Sequence, residues 1–351
     1  MTSSGASTRR PSTRSALPTC QAGVMRTSLA PAKRAPRLSS VLWHRGCSCR
    51  DPMTIDRRSI DLDGRRVSYL TAGGSAAAPV ILLIHGSGVS AGYWIHQLRG
   101  LADRFRVTAI DLPGHGKSDP IPRASVEEYA ETVAGLLEAL HTGPVLVVGH
   151  SLGGAVAMAL AARRPGTVTG LVLVASCAKL PRVDATRERW LACLPGPLRR
   201  VLFLWTAQKL LFSAAAPSHA VSLGMQELRS CRAETVVEDV HAAQAMDLTR
   251  QARALEVPTL ILCGSRDRLT PPALSEHLSG LIPRSGLHII EGAGHMVLLE
   301  APERVNQEIL GFAASLGGEP PSFSVVWERR GRSLVRRLLD WTRARVPFLT
   351  S

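Results

Sequence analysis

Six runs of apolar residues punctuate the chain: VILLIHG (80–86), RVTAIDLPG (106–114), PVLVVGH (144–150), GLVLVAS (170–176), PTLILCG (258–264) and GLHIIEG (286–292). A strand with one wet face alternates apolar and polar positions. These runs do not alternate, which is the pattern of strands buried on both faces of a parallel sheet. Ahead of them IDLDGRRVSYLTAG (60–73) does alternate, around Asp63-Gly64, and predicts a hairpin. Helical spacing predicts helices over 126–140, where Ser125 precedes Glu127 and Glu128, over the Ala-rich 152–163, and over 302–315 after Pro302. Strand and helix in alternation predict a doubly wound α/β fold.

One interval breaks the rhythm. About 80 residues separate Ser176 from Pro258, too many for a structureless loop. PLRRVLFLWTAQKLLF (197–212) and AETVVEDVHAAQAMDLTRQA (233–252) have helical texture, so the interval is expected to be a helical insertion over the strand ends. The organisation expected is a disordered basic extension (1–53), a first part of the core (54–177), a helical cap (178–252), a second part of the core (253–317) and a basic tail (318–351). In that tail Leu334, Leu338 and Trp341 recur at helical spacing within 327–346. Weak contact with an anionic membrane surface and a solvated tail are both open readings of it.

Charge changes the picture only once it is located. The 351 residues carry a formal charge of +14. Residues 1–52 net +8 and residues 322–351 net +5, which leaves +1 for the folded body. A nucleic-acid binder needs its basic face on a folded module, so that class is set aside. Seven cysteines without framework spacing indicate a reducing compartment, and Cys47-Ser48-Cys49 is too tight for a zinc half-site. No metal site is expected. The sequence has neither an 18-residue apolar stretch nor an apolar signal core, and a cytoplasmic protein is expected. The acid-poor N-terminal 52 residues read equally as a transit-like segment, a flexible tail or a start set ahead of Met53. Oligomeric state is not legible.

Three glycine-rich turns compete to carry chemistry. In HGSGVSAG (85–92), Gly86, Gly88 and Ala91 fit a dinucleotide fingerprint with Asp111 twenty residues on, which keeps an NAD-dependent oxidoreductase open as a rival class. The run follows a hairpin rather than opening the sheet, and His85 has no part in holding a pyrophosphate. DLPGHGKSD (111–119) ends like a phosphate-binding loop, but that loop needs glycine where Asp111 stands. The third is Gly149-His150-Ser151-Leu152-Gly153, between an apolar run and a helix. Such a turn is so sharp that its central residue points away from strand and helix alike, and a Cβ at either flanking glycine would strike backbone.

A serine hydroxyl needs a base to become a nucleophile, and the base needs an acid to orient it. Asp267 lies just past the run at 258–264 and His295 just past the run at 286–292. Each alone has an ordinary reading, a turn residue or a loop histidine. Together they fall at consecutive strand ends in the order Ser, Asp, His, which the doubly wound hydrolases share. The candidate oxyanion donors are the amide of Leu152 and one from the loop at Ser87–Gly88, with Ser87 chosen.

These motifs, with His85-Gly86-Ser87-Gly88, Asp111-Leu112-Pro113-Gly114-His115-Gly116-Lys117-Ser118, Gly264-Ser265-Arg266-Asp267 and Gly292-Ala293-Gly294-His295, closely resemble the α/β-hydrolase superfamily over residues 54–317. The branch they resemble most holds small-molecule esterases, enol-lactonases and carbon–carbon hydrolases. The resemblance implies a Ser151-Asp267-His295 triad, oxyanion donors at Ser87 and Leu152, no cofactor and a helical cap. Serine rather than aspartate at 151 argues against haloalkane dehalogenases and epoxide hydrolases. The loop GSGVSAGYWIHQ lacks the Pro-Gly and Asn of the carbon–carbon hydrolases.

The reaction expected is cleavage of a small carboxylic ester through an acyl-enzyme, with a small-molecule acyl substrate as partner. Lactone, carbon–carbon and perhydrolase chemistry are alternatives on the same three residues, and a non-catalytic ligand-binding protein is the remaining class. Tyr93, Trp94, Trp205 and Met225, with Trp190, are nominated as substrate contacts, and core packing is the ordinary alternative for them.

Overall fold

The computed structural model describes residues 54–73, 77–181 and 196–316. The expected basic extension, the amphipathic C-terminal segment and Trp190 lie outside the described residues.

Asp63 and Gly64 both take positive φ, 54° and 79°, as a two-residue hairpin turn requires. They join β1 (Asp56–Leu62) antiparallel to β2 (Arg65–Ala72). The six apolar runs form β3 (Val80–Ile84), β4 (Arg106–Ile110), β5 (Val145–His150), β6 (Val168–Val174), β7 (Thr259–Gly264) and β8 (Ser285–Ile290). All eight strands make one sheet in the order β1-β2-β4-β3-β5-β6-β7-β8. From β4 to β8 the pairing is parallel; β2 is antiparallel to both β1 and β4.

Burial on both faces follows from side chains that alternate with period two. On β3, Leu82 and Ile84 enter one core while Ile81 and Leu83 enter the other. On β5 the division is Val145 and Val147 against Leu146 and Val148, and on β6 Leu171 and Leu173 against Val172 and Val174.

In chain order the helices are α1 (Ile95–Leu101), α2 (Val126–Ala139), α3 (Leu152–Arg163), α4 (Gly196–Leu211), α5 (Ser218–Ser230), α6 (Ala233–Ala245), α7 (Thr249–Arg253), α8 (Pro272–Leu281), α9 (Val297–Glu300) and α10 (Pro302–Ser315). A 3₁₀ turn, Ala91–Trp94, precedes α1. At the start of α2 the Ser125 hydroxyl accepts from the Glu128 amide at 3.1 Å, a side-chain cap on a first turn that carries Glu127 and Glu128.

The described part of the insertion after β6, from 196 on, is helical, as its texture predicts, but the run expected over 233–252 is two helices. The backbone turns extended at Met246, and the Asp247 carboxylate accepts the Thr249 amide at 3.2 Å. Between these stretches lies α5, which the pattern had not singled out. No helix among the described residues is long and apolar enough to cross a membrane.

β3 has β4 on one side and β5 on the other, so the chain leaves these two adjacent strands, β3 and β5, toward opposite sides. In open α/β sheets such a switch point leaves a crevice at the carboxyl ends of the strands. The loops after β3 and β5 open there.

The dinucleotide reading does not survive this arrangement. Asp111 is fully buried, and its oxygens accept the Ala91 amide at 2.7 Å and the Lys117 amide at 3.0 Å and pair with Arg57. It clamps the glycine-rich loop to the end of β4, so no carboxylate is left for a ribose. The glycine-rich turn also follows the third strand rather than the first.

Leu83 is fully buried in the centre of the sheet. Leu83→Ala is expected to cost about 2–5 kcal/mol through lost burial and the cavity left behind. A lower urea midpoint with an unchanged denaturant slope would show it; an unchanged midpoint would contradict the packing described.

Candidate active site

The corner between β5 and α3 is built by close backbone approach. A Cβ on Gly149 would overlap the Gly153 carbonyl, and one on Gly153 would overlap the Ile84 and His85 carbonyls. Without those two atoms α3 starts directly against the ends of β3 and β5. Ser151 takes up the sharp turn at φ 53°, ψ −118°. For a residue with a Cβ this conformation costs about 1–3 kcal/mol and persists only where its surroundings enforce it. Here the Ser151 amide donates to the Val174 carbonyl at 2.8 Å, and its own carbonyl accepts the Ser176 hydroxyl at 2.9 Å. The side chain is left half-buried on the crevice side, and Gly86 keeps the facing loop close enough that a Cβ there would lie 3.0 Å from Ser151 Cβ.

Asp267 and His295 meet. Nδ1 of His295 lies 2.9 Å from Oδ2 of Asp267, with both side chains essentially out of solvent. The carboxylate is held from its other side: Oδ1 accepts the amides of Leu269 and Thr270, each at 2.8 Å, and Oδ2 also accepts the Thr270 hydroxyl at 2.8 Å. That fixes the acid before it fixes the base. With Nδ1 as the donor to Asp267, Nε2 is the ring nitrogen able to take a proton.

The loop bearing His295 is tied down along its length. Arg266 N–H donates to the Ala293 carbonyl at 2.8 Å, Gly294 N–H to the Glu300 carboxylate at 3.1 Å, and Met296 N–H to the Leu211 carbonyl at 3.0 Å. His150 Nε2–H donates to the His295 carbonyl at 3.0 Å, and the two rings sit 4.9 Å apart. His150 thus bridges the serine corner and the histidine loop, strands that are not neighbours in the sheet.

His85 is a second buried imidazole. Its Nδ1–H donates to the Gly86 carbonyl at 2.7 Å, and its Nε2 accepts the Leu112 amide at 3.0 Å. A proton on Nε2 would face an N–H, so the ring is held neutral. Burial, with help from the neighbouring His115, lowers its pKa to about 4, and burial likewise lowers that of His150.

Ser87 follows Gly86 in the loop after β3, and Leu152 opens α3 directly after Ser151. The first-turn amides of a helix have no intrahelical acceptor, so an anion at this corner meets unpaired N–H groups and the positive end of the helix dipole.

Of the expected aromatic contacts, Tyr93 lies next to the site, its ring 5.1 Å from that of His150. Tyr93 and Trp94 are fully buried and packed edge to face at 5.8 Å, with Met225 in the same apolar core. Their burial fits core packing, the ordinary reading. Trp205 is 61% exposed on α4. Two hollows of about 150 Å³ and 440 Å³ lie away from this site, one against the β1–β2 hairpin and α2, the other at Arg253–Glu256 and Pro283–Arg284. No cluster of potential metal ligands occurs among the described residues.

Thr270, Glu300, Glu227 and Asp239 were not expected. Thr270 sat in plain view within Asp267-Arg268-Leu269-Thr270, where an Asp followed by a Thr three residues on is a turn signal. Glu227 and Asp239 act through contacts more than 100 residues away, and Glu300 holds both Gly294, six residues before it, and the distant Ser213, so none carries a local signature.

The model of the alpha/beta hydrolase family matches residues 81–308. A dihydrolipoyllysine-residue acetyltransferase component of the acetoin cleaving system from Pseudomonas putida is 31% identical over 260 residues, covering 72% of this chain and 68% of that protein. A protein of Escherichia coli provisionally named the carbamate hydrolase RutD is 30% identical, covering 69% of this chain and 93% of its own. Among solved structures, a thermophilic esterase is 34% identical with a TM-score of 0.65, covering 75% of this chain and 99% of that one.

Two buried neutral imidazoles make stability depend on pH in a definite direction. Where a folded pKa lies below the unfolded value near 6.5, the unfolded chain binds more protons, and stability falls as pH drops. The loss should begin below about pH 6.5 and continue toward pH 4. Urea midpoints at pH 7.5, 6 and 5 should therefore decrease in that order; a midpoint unchanged or higher at pH 5 would contradict the neutral assignment.

Proposed function

The chain belongs to the alpha/beta hydrolase family, and from that premise we propose that it is a serine hydrolase cleaving a small-molecule carboxylic ester through an acyl-enzyme. The observation that carries this reading is the buried Asp267–His295 hydrogen bond, joined through His150 to the corner that holds Ser151 in a strained turn.

Ser151 Oγ attacks the ester carbonyl carbon as Nε2 of His295 takes the hydroxyl proton. Asp267 keeps Nδ1 protonated and stabilises the imidazolium that forms. The amides of Leu152 and Ser87 stabilise the oxyanion of the tetrahedral intermediate. Collapse expels the alcohol, which takes the proton from Nε2. Water then attacks the acyl-Ser151 carbonyl with His295 as base, releasing the acid and restoring the serine. Burial serves these steps, since a dry site strengthens each charge interaction at the reacting atoms. The helical insertion acts as the cap that keeps the crevice dry.

The similarity to a thermophilic esterase over nearly the whole of that chain supports an ester substrate. The similarity to the protein named RutD keeps a carbamate as the second reading, because attack on a carbamate carbonyl asks for the same nucleophile, base and oxyanion donors.

A fluorophosphonate probe should label the wild type and leave Ser151→Ala unlabelled; labelling of the variant would overturn the assignment of the nucleophile. p-Nitrophenyl esters of increasing acyl length, with lactones and a p-nitrophenyl carbamate alongside, should rank esters first by kcat/KM. Asp267→Asn should lower kcat about 10⁴-fold through the wrong histidine tautomer while the protein stays folded by circular dichroism. Retention of wild-type kcat would remove Asp267 from the mechanism.

A further inference from the structure

Loops from three strand ends meet at the hydroxyl of Thr270. The side chain is buried, and Oγ1 lies 2.8 Å from Asp267 Oδ2, 2.9 Å from the Ala175 carbonyl oxygen and 3.1 Å from His295 Nδ1. Asp267 and Thr270 follow β7, His295 follows β8 and Ala175 follows β6. A threonine hydroxyl has one hydrogen to donate and two lone pairs to accept with. The carboxylate and carbonyl oxygens beside it are acceptors only, so its single hydrogen has two places to go.

Local sequence holds that hydroxyl. Pro271 and Pro272 follow Thr270, and a residue ahead of a proline is steered to extended backbone, while a β-branched side chain is stiff about χ1. The Thr270 amide is bonded to Asp267 Oδ1, independently of the side chain. Facing it, Ala175 takes φ 49°, which a residue with a Cβ adopts only where its surroundings enforce it. Its amide donates to the Leu262 carbonyl on β7 at 2.8 Å, but its carbonyl accepts from Thr270 instead of continuing the ladder. The next residue, Ser176, donates its hydroxyl to the Ser151 carbonyl at 2.9 Å. Ala175 and Ser176 thus join the Asp267–His295 pair to the serine corner by way of β6, which lies between β5 and β7.

We propose that Thr270 is a positioning residue for His295, supplying a second oxygen at Nδ1. While the ring is neutral, the hydroxyl hydrogen lies on Asp267 Oδ2. As Nε2 takes the serine proton and the ring becomes a cation, that hydrogen turns to the Ala175 carbonyl, and Oγ1 offers Nδ1–H a lone pair beside Oδ2. No proton leaves Thr270; only its O–H rotates. The ring is then held by two oxygens, and the second is anchored at the strand end that also anchors Ser151. A base held by one acceptor swings about that bond, and a misplacement of about 1 Å costs about 10²-fold in rate. The inference rests on the hydrolase reading above and gives a part in it to a residue that touches neither the substrate nor the proton in transfer.

The competing account is a structural hydroxyl that only satisfies the buried Ala175 carbonyl. Thr270→Val keeps the shape and the backbone amide and removes the hydroxyl; Thr270→Ser keeps the hydroxyl and removes a methyl. With a short p-nitrophenyl ester, Thr270→Val should lower kcat about tenfold or more with KM within about twofold, as expected for one lost hydrogen bond to a charged group. Thr270→Ser should stay within about threefold of the wild-type kcat, since it retains that bond. In an Asp267→Asn background Thr270→Val should cost less than in the wild type, as coupled residues do. Should Thr270→Val fail to fold, Thr270→Ala against Thr270→Ser makes the same comparison, because those two differ by the hydroxyl alone.

Fluorophosphonate labelling of the wild type is run alongside. Labelled wild type with Thr270→Val at wild-type kcat overturns the positioning role and leaves the hydrolase reading standing. Equal losses in Thr270→Val and Thr270→Ser do the same, as does an undiminished cost of Thr270→Val beside Asp267→Asn. Wild type that neither labels nor turns over any ester overturns both.

Discussion

The site depends on how closely two pieces of backbone approach where β5 ends and α3 begins. Gly149 and Gly153 lie where any Cβ would overlap a carbonyl oxygen of a neighbouring segment. That contact brings the helix N-terminus against the ends of β3 and β5 and forces the residue between them into positive φ. It also explains why the strain is borne there: the Ser151 amide is bonded to β6, its carbonyl to Ser176, and the helix begins one residue later. Relaxing Ser151 would break those bonds or pull α3 from the sheet.

Around that corner the molecule uses carboxylates as fixed points, Asp267 and Asp111 buried and Glu300 half-buried. Asp267 accepts two amides and a hydroxyl before it accepts His295, Asp111 accepts two amides and an arginine, and Glu300 accepts the amides of Ser213 and Gly294. A buried carboxylate without donors costs several kcal/mol, so each of these must keep its partners, and loops that supply backbone N–H groups are held in place by that demand. Strand ends that diverge in the sheet are thereby held at one crevice. The His295 loop comes from β8, with β6 and β7 lying between β8 and β5, and it is tied to the serine corner through His150, being bonded to Leu211 and Glu300 as well rather than left to follow its own strand.

What could be read from the sequence was what has a local cause. Apolar runs without alternation became the parallel strands, Asp63-Gly64 became the hairpin turn, and Ser125 became the cap of α2, since each depends on residues within one element. The meeting of Asp267 with His295 was legible because a parallel sheet delivers all its strand ends to one edge, so neighbouring strand ends bring their loops together. The insertion was not legible in the same way. Its helices follow no sheet register, the break at Met246 depends on an Asx contact at Asp247, and Asp239 and Glu227 find partners more than 100 residues away. Tyr93, Trp94 and Met225 drew attention as substrate contacts by chemistry alone, and the sequence could not show that all three would be buried in one apolar core.

The loop after β3 shows how one spacing can serve two chemistries. Gly86, Gly88 and Ala91 with Asp111 twenty residues on satisfy the dinucleotide pattern on paper. In that pattern the glycines admit a pyrophosphate and the acid is free to meet a ribose. Here the acid turns back onto the loop and takes the Ala91 amide, while the glycines admit a leucine methyl from α5 and the Ser151 corner. The loop is therefore filled by protein on both sides and presents an edge of backbone instead of a cradle. The difference arises upstream, in the antiparallel hairpin that adds β1 and β2 beyond β4: Arg57 from β1 pairs with Asp111 and commits its carboxylate to the interior. A glycine spacing thus acquires its chemistry from the strand beside it, and in this chain that strand commits the acid to the loop's own backbone.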